Sequence, residues 1–265
     1  MRLVAFCEAP ADFRLASGLV DRVLRESGPP WVVDNLELPD VIRTWQTDGF
    51  GSAYFDIHQL TRYVDRYVDE PHVRSIRGHF NGRPGGAGSS MARKAFLITR
   101  ALSKKLPDEP IDAVVLIWDT DHQRDERPEG VKAACNEARQ WAPFRIVCGF
   151  PDPEREAWVL AGFDPHDDTE RACLDELERA LGFSPVLHAA RLRDNHDGAL
   201  RNIKRVLRVL TGGAPDREER CWTEPPLDML RVRGTNTGLA AFLDQIDAII
   251  LPLLDPGVAG HRLRR

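Results

Sequence analysis

Two carboxylates one residue apart, Asp119 and Asp121, stand directly after the apolar run Ala113-Val-Val-Leu-Ile-Trp118. Like charges held that close repel unless a proton or a cation intervenes. A β-branched run with apolar residues on both faces reads as a buried strand of a parallel sheet. In such sheets, ligands gather outside the carboxyl ends of the strands. Side chains alternate along extended backbone, so Asp119 and Asp121 can point to one side. The expectation is a divalent-metal site at a strand end; a pair of solvated turn carboxylates is the plainer alternative.

Two further acidic clusters follow other strands. Glu8 and Asp12 come after Leu3-Val-Ala-Phe-Cys7, and Glu154 and Glu156 come after Arg145-Ile-Val-Cys-Gly149. At one edge of a parallel sheet, the three clusters together favour a metal site over solvated turns. An all-oxygen ligand set suits Mg²⁺ or Mn²⁺. Asp152-Pro153 reads as an N-cap followed by proline at the first helical position. On that reading Glu154 lies in a first helical turn, where a favourable charge is an alternative to a chemical role. Asp125, in a charged loop, reads as solvated unless it reaches the same edge.

The elements that must position these groups alternate. The 3.6-residue period of Ala16, Leu19, Val20, Val23 and Leu24 predicts a helix stopped by Gly28-Pro29-Pro30. Trp31-Val-Val33 looks like a second strand, Asp56 to Val68 a possible helix, and Val73 to Asn81 another strand. A helix with Ala92, Ala95, Phe96, Leu102 and Leu106 follows the glycine-rich run Gly82 to Ser90. That run reads as a flexible connector; a loop cradling phosphate is the competing reading, though it lacks a Walker ending. Another helix carries Val131, Ala134, Cys135, Ala138 and Trp141. Strand and helix in alternation argue for an α/β fold with a parallel sheet. Residues 1–165 form the sheet domain, with an insertion at about 35–90, and residues 166–265 a helical region packed on it. That region holds helices at Thr169 to Leu181, Gly198 to Leu210, and Gly238 to about Leu251.

The formal charge of −5 argues against binding nucleic acid through net charge, and leaves room for a local basic groove. Such a groove is expected on the Gly198–Leu210 helix. Leu200, Ile203, Leu207 and Leu210 would form its apolar stripe, and Arg201, Lys204, Arg205 and Arg208 a neighbouring face, with Lys94 as a further cation; a solvated basic face is the alternative. Five scattered cysteines without a Cys-x-x-Cys pair are neither a disulfide framework nor a zinc site, and suit a reducing cytoplasm. No leader and no membrane span are expected.

Glu8-Ala9-Pro10-Ala11-Asp12 followed by Asp119-Thr120-Asp121 resembles the TOPRIM fold, with an acidic residue after the first strand and a DxD pair after a later one. The order is closest to the OLD-type (overcoming lysogenization defect) nucleases and their small standalone relatives, whose Glu-x-Glu-x-Trp segment is matched by Glu154-Arg-Glu156-Ala-Trp158. The resemblance covers roughly Met1 to Phe163. It departs from the usual Glu-Gly-x-x-Asp/Glu at Ala9. It implies metal-dependent cleavage of DNA or RNA phosphodiesters. Glu8, Asp119 and Asp121 would be catalytic, and Glu8, Asp12, Asp119, Asp121 and Glu156 would be ligands to Mg²⁺ or Mn²⁺. It also implies a separately encoded ATPase partner and a role in antiviral defence. Topoisomerase chemistry would need a tyrosine nucleophile, and the only tyrosines are Tyr54, Tyr63 and Tyr67. Two rivals remain: a catalytically degenerate TOPRIM regulatory or sensing subunit, and a haloacid-dehalogenase-like phosphatase with Asp119 as nucleophile. Gln123 stands where those phosphatases usually carry Thr or Val.

Overall fold

The computed structural model describes residues 1–36, 38, 41–68, 79–80 and 83–255. In chain order these form β1 (Arg2–Cys7), α1 (Pro10–Ser27), α2 (Pro30–Asn35), β2 (Thr44–Trp45), β3 (Phe55–Asp56) and α3 (Leu60–Tyr67). Next come β4 (His79–Phe80), β5 (Arg83–Pro84), α4 (Ser89–Lys105), β6 (Ala113–Ile117), α5 (Glu126–Ala138) and β7 (Arg145–Gly149). The helices α6 (Glu156–Ala161), α7 (Asp168–Leu181), α8 (Ile203–Thr211), α9 (Pro215–Thr223), α10 (Leu227–Arg233) and α11 (Leu239–Gln245) complete the fold.

The fold is α/β, with a parallel sheet ordered β2-β1-β6-β7 and β3 also paired to β1. Alternation along the strands separates two apolar layers. Leu3, Cys7, Val115, Ile117 and Val147 face a core shared with α1, α6 and the C-terminal helices. Val4, Phe6, Val114, Leu116 and Ile146 face a second core under α3, α4 and α5. Burial on both faces explains why β1 and β6 read as unbroken apolar runs.

The register aligns Phe6 with Leu116 and Leu116 with Cys148. Glu8 and Trp118 therefore leave the sheet at the same level, with Asp119 one residue beyond. The C-terminal region is joined to the sheet by more than apolar packing. The Gln245 side-chain amide accepts from the Cys148 N–H at 3.0 Å and donates to the Cys148 carbonyl at 2.8 Å. It thereby serves as a strand partner on the open edge of β7.

Several expectations are corrected. Trp31–Val33 is helix, not strand: Pro30 opens α2, and only Val32 turns inward. The segment read as an insertion at about 35–90 supplies β2 and β3 to the sheet and α3 to the second core. The expected strand Val73–Asn81 lies outside the described residues except for His79–Phe80, which pairs antiparallel with Arg83–Pro84. The helix expected from Gly198 starts at Ile203, where the Asn202 side chain accepts from the Arg205 N–H at 2.8 Å. Arg201 therefore precedes the helix, and Leu200 is exposed instead of joining the stripe. The described part of the glycine-rich run is a packing junction: a Cβ at Gly130 of α5 would strike the Ala87 carbonyl. Among the described residues, no helix is long and apolar enough to cross a membrane.

Candidate active site

Glu8 is the first group past β1. Its Oε1 accepts from the Trp118 indole N–H at 3.2 Å and lies 3.6 Å from His58 Nε2. Burial pushes its carboxyl above the usual range, as does the charge of Asp121; His58 and Arg127 oppose them. Asp12 is the third residue of α1, and its Oδ2 accepts from the Ala9 N–H at 2.8 Å. It thus works as half of a helix cap, a task that the spacing Ala9-x-x-Asp12 already allows. Its other oxygen is 3.7 Å from Arg155 Nε. Burial raises its carboxyl, while the Ala9 N–H and Arg155 pull it down.

Asp119 is the centre of the cluster. Its Oδ1 is buried and has no hydrogen-bond partner. Its carboxyl is held well above the usual range, by burial first and then by the charges of Asp12, Glu8 and Glu156. Asp121 departs from extended backbone with φ of 49°, a left-handed conformation that Asp tolerates better than most residues. Simple alternation therefore does not align the pair: Asp119 turns inward and Asp121 outward. Arg127 of α5 donates to Asp121 Oδ2 at 2.9 Å, and to the Asp119 carbonyl from the same nitrogen, while its guanidinium lies 4.7 Å over the Trp118 ring.

The Asp119–Asp121 turn is docked on a second turn after β7. The N–H groups of Thr120 and Asp121 donate to the carbonyls of Pro151 and Pro153 at 2.9 and 3.0 Å. The buried Thr120 hydroxyl donates to Asp152 Oδ1 at 2.8 Å. Asp152 also accepts from Arg193 at 2.7 and 2.8 Å, and Arg124 lies 3.2 Å away. It is not the expected N-cap. The Asp152–Pro153 bond is cis, and α6 begins three residues later at Glu156. Glu154 is consequently outside the helix and pairs with Lys204 at 2.7 Å.

Glu156, at the first turn of α6, is paired with Arg155 at 3.1 Å. The same guanidinium reaches Asp12 and, at 3.6 Å, Glu218. Three of the other four expected ligands, Asp12, Glu8 and Glu156, act on Asp119 through their charge, and Asp121 acts on Glu8. The expected basic groove does not assemble. Lys204 serves Glu154, and Arg201 lies 5.7 Å from the Phe183 ring. Arg205 is half-buried and Arg208 exposed. Lys94 approaches Thr61 at 3.4 Å from α4, on the opposite face of the sheet from α8. Asp125 is exposed, as expected for a solvated loop carboxylate.

Arg155 and Arg127 carry no spacing signal for the site, although Arg155 sits inside the acidic run and Arg127 in the charged loop; Asp152 is marked in the sequence only as a helix cap. Tyr63 is buried, bonded to Asp48 at 3.1 Å and pushed up to about 12. Tyr67 donates to the Asp48 carbonyl, and Tyr54 stacks on Phe13.

The donors fit a hard divalent cation by chemistry: all are carboxylates, and Asp119 Oδ1 is an orphaned buried acceptor. As the side chains stand, no three His, Cys, Asp or Glu groups among the described residues are assembled tightly enough to hold an ion. Arg155 pairs instead with Asp12 and Glu156, and Arg127 with Asp121. Comparison with protein-family models, with curated proteins and with solved structures returned no match.

Proposed function

We propose that the protein is a divalent-metal-dependent phosphodiesterase acting on nucleic acid. The observation that carries this reading is Asp119 Oδ1, buried without a partner among Glu8, Asp12 and Glu156. An uncompensated buried carboxylate is costly, and a cation offsets that cost. Asp119 and Glu8 would hold Mg²⁺ or Mn²⁺, with Asp121, Asp12 and Glu156 completing the oxygen set. When bound, such an ion lowers the pKa of water and stabilises charge on phosphoryl oxygens. The chain's own residues orient the groups. Trp118 fixes Glu8, the Ala9 N–H fixes Asp12, and the Thr120–Asp152 bond fixes the turn carrying Asp119. Arg127, bonded to Asp121, would meet a phosphate oxygen beside it.

A second reading is supported by Arg155, Arg127 and Lys204, which already pair with carboxylates of the cluster. In a catalytically silent module these cations would stand permanently in place of a metal. One panel separates the readings: plasmid, linear duplex, single strands and RNA, each with Mg²⁺ and Mn²⁺, beside a phosphomonoester control. Strand cleavage that vanishes in Asp119→Asn supports the nuclease. Hydrolysis of the monoester alone supports the phosphatase rival. No turnover together with no metal-dependent shift in melting temperature supports the silent module.

A further inference from the structure

A cleft of about 310 Å³ opens beside the Asp119–Asp121 turn, lined among others by Asp121, His122, Arg127, Glu154, Arg193 and Asn195. His122 and Asn195 of its lining are 2.6 Å apart, joining the turn after β6 to the C-terminal region. Two arginines of the wall are only partly engaged. Arg193 uses a single nitrogen for both Asp152 oxygens, and among the described residues its Nε and other terminal nitrogen make no hydrogen bond. Arg127 uses Nε and one terminal nitrogen, which leaves the other without a partner among the described residues. Guanidinium forks carry five donors suited to phosphate oxygens.

Among the charged lining residues, Arg127 and Arg193 are set against Asp121 and Glu154, so the cleft is balanced as it stands. A metal drawing Asp121 toward Asp119 would release Arg127 and tip that balance toward positive charge. The volume suits one small unit, at the lower end of ordinary ligand pockets of roughly 300–1,000 Å³.

We propose that this cleft receives a phosphate of a single nucleic-acid strand, next to the phosphate presented to Asp119, with Arg193 and Arg127 as its binding residues. This rests on the nuclease reading above. The probe is a fluorescein-labelled ten-nucleotide oligothymidylate, followed by anisotropy with the full chain in calcium and in EDTA. Binding should be tighter in calcium, be displaced by inorganic phosphate, and weaken about tenfold in Arg193→Gln, with a salt slope about one unit flatter. Arg193→Lys should fall between, because it keeps the charge and loses the fork. Arg127→Gln should abolish the difference between calcium and EDTA.

Arg193 also steadies Asp152, so Gln123→Glu is the second variant. It adds a negative charge at an exposed position on the cleft wall and should weaken binding without lowering the melting temperature. Wild-type affinity in folded Arg193→Gln and in Gln123→Glu would overturn the inference. So would a duplex that binds as tightly as the single strand. Arginine-dependent binding without cleavage in Mg²⁺ or Mn²⁺ would leave the cleft intact and remove the nuclease. Cleavage indifferent to both substitutions would do the reverse.

Discussion

Asp119 and Glu170 are both carboxylates in contact with folded surroundings, and those surroundings push them in opposite directions. In the helical region, Glu170 accepts from Arg217 through both oxygens at 2.7 and 2.9 Å, and from the His166 N–H at 2.8 Å. Arg217 in turn donates to the Asp164 carbonyl and lies 4.5 Å over the Phe163 ring. Glu170 is pulled down to about 2, by the Arg217 bonds first. At the sheet edge, Asp119 has an orphaned oxygen and three acidic neighbours, and it is pushed up. Fully paired charge of the first kind fastens α7 to α9. Unpaired charge of the second kind holds back stability, and on the proposed reading a cation would offset it.

The sharpest way to break this contrast is to unpair Glu170. Arg217→Ala strips its partner and the Phe163 contact together, and should cost about 3 kcal/mol, at the lower end for broken buried pairs. A urea denaturation midpoint that stays put would show the pair to be ornamental. Metal comes next. At roughly a hundred times its Kd, Mg²⁺ or Mn²⁺ should stabilise the fold by about 2.7 kcal/mol, a gain that Glu8→Gln reduces and Asp119→Asn removes. Calorimetric melting curves indifferent to Mg²⁺, Mn²⁺ and Ca²⁺ alike would class Asp119 with ordinary buried acids.

Asp119→Asn itself should stabilise the metal-free protein at neutral pH by about 1–2 kcal/mol, since it deletes a desolvated charge. The sign follows from linkage. Asp119 has a raised folded pKa, so its contribution is greatest below the ordinary carboxylate range and is lost as pH climbs toward the raised value. Glu170 has a lowered one, so its contribution is present above 4.5 and is lost as pH falls toward about 2. Melting temperatures of wild type and Asp119→Asn should therefore converge at low pH, as should those of wild type and Glu170→Gln, while near neutral pH Asp119→Asn melts above wild type and Glu170→Gln below it. Parallel curves for wild type and Asp119→Asn would contradict the assignment. The smallest effect is expected from Lys204→Gln, whose pair with Glu154 is half-exposed: below about 1 kcal/mol, read as a melting shift of a few degrees at most.

The sheet was legible because its signal is local. β1, β6 and β7 are apolar on both faces, and the residues after them are acidic, so both the strands and the edge where chemistry would gather follow from the order of residue types. Helices with a full apolar stripe and a glycine stop, α1 and α7 above all, were legible for the same reason. Short pieces were not. Trp31–Val33 carries too few residues to show a period, and Asn202 rather than Gly198 starts α8 because a side-chain cap at that point satisfies a free backbone N–H.

By itself, then, the sequence determined an α/β chain with carboxylates after three parallel strands, because strand burial and helix periodicity are properties of neighbouring residues. Only the tertiary structure decided how those carboxylates are shared out. Arg155 lies between Asp12, Glu156 and Glu218, Arg193 reaches Asp152 across 41 residues, and Arg127 pairs with Asp121. Asp119 Oδ1 is left buried without a donor. Charge pairing acts through space over a few ångströms, and no spacing along the chain records which cation arrives at which acid.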